Sequence, residues 1–165
     1  MAKLKPAFDK DGVVTAATSS PLTDGAAAVI VCSEDYANKN SLEILAYIRG
    51  MAISGCSPEI MGIGPVLSSQ KALKRAGIKL EDVDVIEMNE AFAAQSLACV
   101  KELGVEMSKL NIHGGAISMG HPLGASGARI TGKAASLLKE TGKRYALSTM
   151  CVGGGQGCAT VLERA

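Results

Sequence analysis

YALSTMCVGGGQGCATVL, residues 145–162, holds two short apolar runs, 145–150 and 157–162, around a turn of successive glycines. Short β-prone runs flanking a Gly-rich turn predict a β-hairpin, and a hairpin makes at least one strand pair antiparallel. The chain ahead of it alternates short apolar runs with stretches at helical period, the pattern of an α/β layered sheet with helices on its faces. The two readings together predict a mixed sheet.

Working back from the hairpin, residues 127–141 predict a helix closed by Gly142, and 110–112 a strand running into a Gly-rich region. Residues 91–103 predict a helix ending at Gly104, after a strand at 83–88. Val66, Ala72, Leu73 and Ala76 recur at helical spacing after Gly64-Pro65, and Gly77 stops that helix. Residues 42–52 read as a strand, and the Val- and Ile-rich 26–32 as a buried one, with Ser33 capping a helix that carries Glu34 and Asp35 in its first turn. The first twenty residues read as a poorly anchored lead-in with one short strand at 13–16. The expected order is βαβαβαβαββ.

The 165 residues are 47% hydrophobic and 20% charged, which excludes a disordered chain and fits about one domain. A formal net charge of +1 and 3% aromatics supply neither a cationic funnel nor stacking platforms for nucleic acid. The longest apolar run, 26–32, is seven residues, far short of the roughly 20 that cross a bilayer. Lys3, Lys5 and Pro6 stand where a signal peptide would need an apolar stretch, so a cytoplasmic setting is expected. Cys32, Cys56, Cys99, Cys151 and Cys158 form no C-x-x-C pair and are expected as reduced thiols, mostly small buried hydrophobes. His113 and His121 are off the spacing of a helical zinc pair, and neither nucleotide-binding glycine fingerprint occurs, so no metal and no nucleotide site is expected.

Eleven of the 19 glycines follow Asn111, concentrating backbone constraint in tight turns or surfaces that a ligand approaches. Three stretches fall at strand ends, where α/β sheets assemble their sites: NEAF at 89–92, GGAISMGHPLGASGAR at 114–129 and CVGGGQG at 151–157. His121, between Gly120 and Pro122, reads equally as a general base or as a structural turn histidine. Cys151 ahead of glycines whose N–H groups can turn inward joins a thiol to an oxyanion hole, although a strand-end cysteine alone is more often inert core. Asn89 reads as a helix cap or as an amide that orients a water, and Glu90 as a first-turn residue serving the dipole of helix 91–103.

Taken together, NEAFAAQ at 89–95, GGAISMGHPLGASGAR and CVGGGQG, with LKPAF at 4–8 and TDGAAAV at 23–29, resemble the thiolase family in its motif order and over nearly the whole chain. The resemblance implies an acyl-CoA acetyltransferase that condenses two acetyl-CoA or cleaves a 3-ketoacyl-CoA with coenzyme A. Coenzyme A and acetyl-CoA are then substrates, and no cofactor is bound permanently. It assigns His121 to the histidine that activates the nucleophile and Cys151 to the second cysteine, which shuttles a proton. Asn89 matches the asparagine whose water, with the histidine, stabilises the thioester enolate, and Gly153 the N–H donor of the other oxyanion hole. Ser20 matches the pantetheine-contacting serine, with Pro21 where the family commonly has glycine, and Phe92 joins it on the substrate side. His113 is taken as structural.

The family's nucleophilic cysteine lies in an N-terminal half, and none of Cys32, Cys56 and Cys99 has comparable surroundings. The chain thus resembles the second half of a thiolase: residues 1–24 a remnant of the loop domain, and 25–165 the C-terminal domain. That domain is expected as one βαβαβαββ unit, a mixed five-stranded sheet with helices on both faces. An isolated half would expose an apolar face. The expected partners are therefore an acyl-CoA thioester and either a complementary N-terminal half or a second copy, with no nucleic acid and no membrane. The alternative is a non-catalytic pairing or CoA-binding module of the same fold.

Overall fold

The computed structural model describes residues 3–165. Its strands are β1 (Ala46–Gly55), β2 (Val85–Met88), β3 (Tyr145–Val152) and β4 (Gln156–Arg164). Its helices are α1 (Glu34–Lys39), α2 (Gly64–Ala76), α3 (Ala93–Leu103), α4 (Ala116–Met119) and α5 (Leu123–Thr141). The sheet runs β1-β4-β3-β2, with β2 parallel to β3 and β4 antiparallel to both its neighbours. The hairpin at 145–162 is thus the centre of the sheet and makes it mixed.

Successive strand residues point to opposite faces, and both faces are covered. Ile86, Leu147 and Val161 pack with Ala72 and Leu73 of α2, and with Val100 and Leu103 of α3. Their chain neighbours Val85, Ala146 and Leu162 pack with Ala134, Leu137 and Leu138 of α5. Gly77, Gly104 and Gly142 end α2, α3 and α5 in the left-handed conformation, at φ +68°, +75° and +68°. Ser33 caps α1, its side chain accepting from the Tyr36 N–H at 3.2 Å.

Among the described residues the sheet has four strands, not five. Leu110 reaches β2 only through a single parallel bridge to Ile86, because Asn111 turns left-handed at φ +45°. The Asn111 side chain takes over the pairing, accepting from Met88 N–H and donating to Met88 O, both at 2.9 Å. Residues 26–32 form no strand and are exposed, with Ile30 at 80% and Val31 at 71%; among the described residues no strand lies beside them to complete a ladder. The strand expected at 42–52 begins at Ala46, and a 3-10 turn at Ala16–Thr18 replaces the short strand at 13–16. The lead-in is anchored, through an antiparallel bridge Ser19–Phe92 and a 3.0 Å bond from the Ser20 N–H to Ala91 O. All five cysteines are free, but only Cys99 and Cys151 are buried. No helix among the described residues is long and apolar enough to cross a membrane.

Candidate active site

β2 and β3 run parallel and in register up to Met88–Thr149, so the residues leaving the two strands emerge at the same edge of the sheet. Asn89 leaves β2 there with its backbone N–H bonded to Thr149 O at 3.0 Å, two residues before Cys151. Asn89 does not cap the next helix: Phe92 is the N-cap of α3, without a side-chain cap bond. The Asn89 amide, 1% exposed, instead places Nδ2 3.3 Å from His121 Nε2. Its Oδ1 has no hydrogen-bond partner among the described residues.

His121 follows Gly120, which sits at φ +99° with Thr23 packed where a Cβ would project, so a larger residue lacks both the conformation and the room. Thr23 Oγ1 donates to Pro21 O at 2.8 Å and accepts from the His121 N–H at 3.2 Å. His121 Nδ1 lies 2.6 Å from Ser126 Oγ, and Ser126, fully buried, donates to Pro122 O at 3.1 Å. With its one proton committed to that carbonyl, Ser126 accepts from Nδ1–H. The tautomer so fixed leaves Nε2 unprotonated and facing the Asn89 amide. Burial, with the Arg129 charge behind it, holds the imidazole below its ordinary pKa.

The Cys151 thiol moves the other way. Burial pushes its pKa up against a bond from its own backbone, with the neighbouring Cys158 and Cys56 adding to the rise. Base and thiol are therefore each shifted toward the neutral form, the arrangement that separates an acceptor from a donor near pH 7. Beyond Cys151, Gly154 and Gly155 make the hairpin turn at φ +82° and +86°. Gly153 faces open space, with nothing within 4 Å of where its Cβ would stand.

Ser20 and Phe92 meet on the same edge: Ser20 Oγ donates to Ala91 O at 3.3 Å, and the Ser19–Phe92 bridge holds the lead-in against NEAF. The structure thus joins Asn89 and His121 directly, sets Cys151 on the adjacent strand, and seats Ser20 and Phe92 together, with Gly153 in the exposed turn. Glu90 lies ahead of the α3 N-cap rather than in its first turn.

Three residues with a hold on this site carry little or no signal in the sequence. Ser126 has a faint one, as a serine four residues after Pro122 on a helix, where the hydroxyl bonds back to the i−4 carbonyl. Thr23 has none beyond its place in TDGAAAV. Lys133 reaches from α5 to Gly114 O at 2.8 Å, and its Nζ sits 3.1 Å from Glu87 Oε1, an ion pair without hydrogen-bond alignment. Glu87 is 2% exposed, and burial raises its pKa against the pull of Lys133.

Comparison with known proteins bears on the family and the fold. Residues 42–164 match the family described as thiolase, C-terminal domain, and residues 1–35 match thiolase, N-terminal domain. The 3-ketoacyl-CoA thiolase of Vibrio parahaemolyticus serotype O3:K6 (strain RIMD 2210633) is 56% identical over 168 residues, covering 99% of this chain and 43% of the relative. The crystal structure of human mitochondrial 3-ketoacyl-CoA thiolase in complex with CoA matches with a TM-score of 0.97 at 50% identity, over 99% of this chain and 42% of that one. The Bacillus anthracis acetyl-CoA acetyltransferase matches with a TM-score of 0.97 at 46% identity, with the same coverage of 99% and 42%. The chain spans 43% of the length of the curated relative it matches. Motif order, sheet topology and family match converge, and the chain belongs to the thiolase family.

Proposed function

We propose that this chain is the C-terminal half of an acyl-CoA acetyltransferase, acting in Claisen condensation of acetyl-CoA or thiolytic cleavage of a 3-ketoacyl-CoA. Its nucleophilic cysteine comes from an N-terminal half. The observation that carries this reading is the directed series of hydrogen bonds from the Asn89 amide through the His121 ring to Ser126 and the Pro122 carbonyl. It holds an unprotonated Nε2 toward the site, and the long 3.3 Å bond from Asn89 gives way as that nitrogen takes the proton of the partner half's thiol.

In cleavage, attack of that thiolate on the 3-keto carbonyl breaks the C2–C3 bond and releases the enolate of acetyl-CoA. The enolate needs a proton, and Cys151, kept as a thiol by burial, gives it. The Cys151 thiolate then takes a proton from the incoming coenzyme A, whose sulfur attacks the acyl-enzyme. Asn89 Oδ1 accepts from a water that faces the enolate oxygen, and the Gly153 N–H serves the other oxyanion. Ser20 and Phe92 line the approach of the pantetheine arm, and residues 1–24 are the end of the segment that covers coenzyme A. Five free cysteines suit a reducing, cytoplasmic setting.

The partner's place is a groove of about 880 Å³ whose lining includes Val29, Ile30 and Val31 of the exposed run 26–32, Leu45 and Ile48 of the β1 region, and Arg129 of α5. It fits the complementary half or a second copy of this chain. The test is acetoacetyl-CoA cleavage in the presence of CoA, with this chain alone and with a thiolase N-terminal half added. Turnover only in the mixture is expected. Turnover by the chain alone overturns the division of the site between halves, and association without turnover favours a pairing or CoA-binding module.

A further inference from the structure

Glu90 follows Asn89 in the chain yet bonds to the loop that carries His121. Its Oε1 accepts from Asn111 Nδ2 at 2.7 Å, and its Oε2 accepts from the Ile117 N–H at 3.1 Å. Asn111 is in turn bound to both polar atoms of the Met88 backbone, so its two amide hydrogens are both used, one on Met88 O and one on Glu90. It is 8% exposed and left-handed at φ +45°, a conformation that asparagine tolerates and that its three side-chain hydrogen bonds hold in place here. At Gly115 the Glu90 carboxylate fills the space that a Cβ would occupy. Gly115 itself has φ −129°, which any residue adopts, so the carboxylate and not the backbone demands glycine there. One carboxylate therefore fastens the end of β2 to the turn that reaches His121 four residues after Ile117.

We infer that Glu90 is a positioning residue that sets the spacing between Asn89 and His121, and with it the geometry of the enolate step; the catalytic part of this inference rests on the function proposed above. The chemistry asks for a carboxylate in particular. Both oxygens accept from donors on different segments, so glutamine turns its amide NH2 toward one of those donors, and aspartate falls a methylene short. Glu90 touches no reacting atom and acts through Asn89 and His121 alone.

The chain has two histidines, so the imidazole NMR signals of His121 are read against those of the exposed His113 as internal reference. Glu90→Gln is expected to leave the chain folded and to move the His121 ring signals more than those of His113, whose ring is exposed and faces Glu140. Gly115→Ala, which keeps every charge, is expected to displace the carboxylate and move the same signals, and it reads the displacement should Glu90→Gln not fold. On a Glu90→Ala background, where the space is vacant, Gly115→Ala is expected to add little, a non-additivity that marks direct coupling. In the complemented enzyme, Glu90→Gln is expected to lower kcat for cleavage about tenfold with KM little changed, the fall that lost orientation produces. Folded variants whose His121 signals stay at their wild-type positions overturn the inference. Should the wild-type mixture show no turnover, the proposed function fails, and the ring signals still decide the role of Glu90.

Discussion

The edge where β2 and β3 end and the groove beside residues 26–32 are built from one chain, yet they are completed to different degrees. At the edge, each His121 ring nitrogen has a partner, its backbone N–H is bonded to Thr23, and Ser126 and Asn111 are satisfied, leaving the Asn89 Oδ1 as the open position. Along 26–32, Val29, Ile30 and Val31 stand 46%, 80% and 71% exposed. Hydrogen bonds are local and need only the few residues that two parallel strands deliver together. Burial of an apolar run needs a whole second layer, worth about 1.5–3 kcal/mol for each large side chain fully covered. The chain thus holds its polar site geometry by itself, while the apolar run 26–32 stays uncovered.

The largest expected effect breaks the completed side. His121→Ala is expected to cost roughly 10²–10⁴-fold in acetoacetyl-CoA cleavage by the complemented enzyme, the range for loss of a general base, and to slow both half-reactions. Normal acylation rates in that variant would overturn the base assignment. Cys151→Ser is expected to lose turnover by about 10²-fold while acyl transfer to the nucleophile is partly retained, because an alcohol is a poor acid and base here. Rapid-quench detection of the acyl-enzyme separates the two variants.

The contrast between the two regions also explains what the amino-acid pattern could reveal. β2, the hairpin and the three glycine-ended helices were legible because each is decided by local period and turn chemistry. Residues 26–32 carry the Val and Ile of a buried strand, but burial depends on what lies above them, which no local pattern states. The missing fifth strand turns on Asn111, whose side chain replaces a ladder bond, and periodicity is blind to such a substitution. At the site, Asn89 and His121 stood out through their strand-end and glycine-flanked settings. Ser126 and Thr23 did not, since a serine on a helix and a threonine in a loop have ordinary places everywhere. Only the fold shows which hydroxyl meets the ring.

A change in the groove should separate association from chemistry. Ile30→Asp is expected to weaken pairing with the N-terminal half by about tenfold or more, the cost of carrying a charge into an apolar contact. The thermal midpoint of the chain alone should stay unchanged, because Ile30 is 80% exposed there. Sedimentation of the mixture checks the first outcome and thermal unfolding of the chain the second. Undiminished pairing would move the interface elsewhere. A smaller effect is expected on the completed side from Ser126→Ala, which leaves Nδ1–H without its acceptor, a loss of about 1–3 kcal/mol for a buried donor. Cleavage should fall about tenfold, and the 15N signals of the ring should show the fixed tautomer replaced by a mixture.

The smallest effect is a pH dependence of stability that the chain shows without any partner. The His121 pKa lies below its ordinary value in the folded state because of burial and Arg129, whereas the unfolded chain takes up a proton near pH 6.5. The unfolded state therefore binds more protons as pH falls past about 6.5, and stability drops with it. The contribution is fully present above that pH and is lost as pH falls toward the folded pKa. Glu87 acts with the opposite sign: its raised carboxyl pKa favours the folded state below about 4.5 and loses that contribution as pH rises through its folded value. Thermal unfolding followed downward from neutral pH should thus fall from about pH 6.5, and His121→Asn should flatten the upper part of that fall. A variant that falls as steeply as the wild type would assign the acid sensitivity to other groups and remove the folded-state shift of His121 from the reasons its ring is a base.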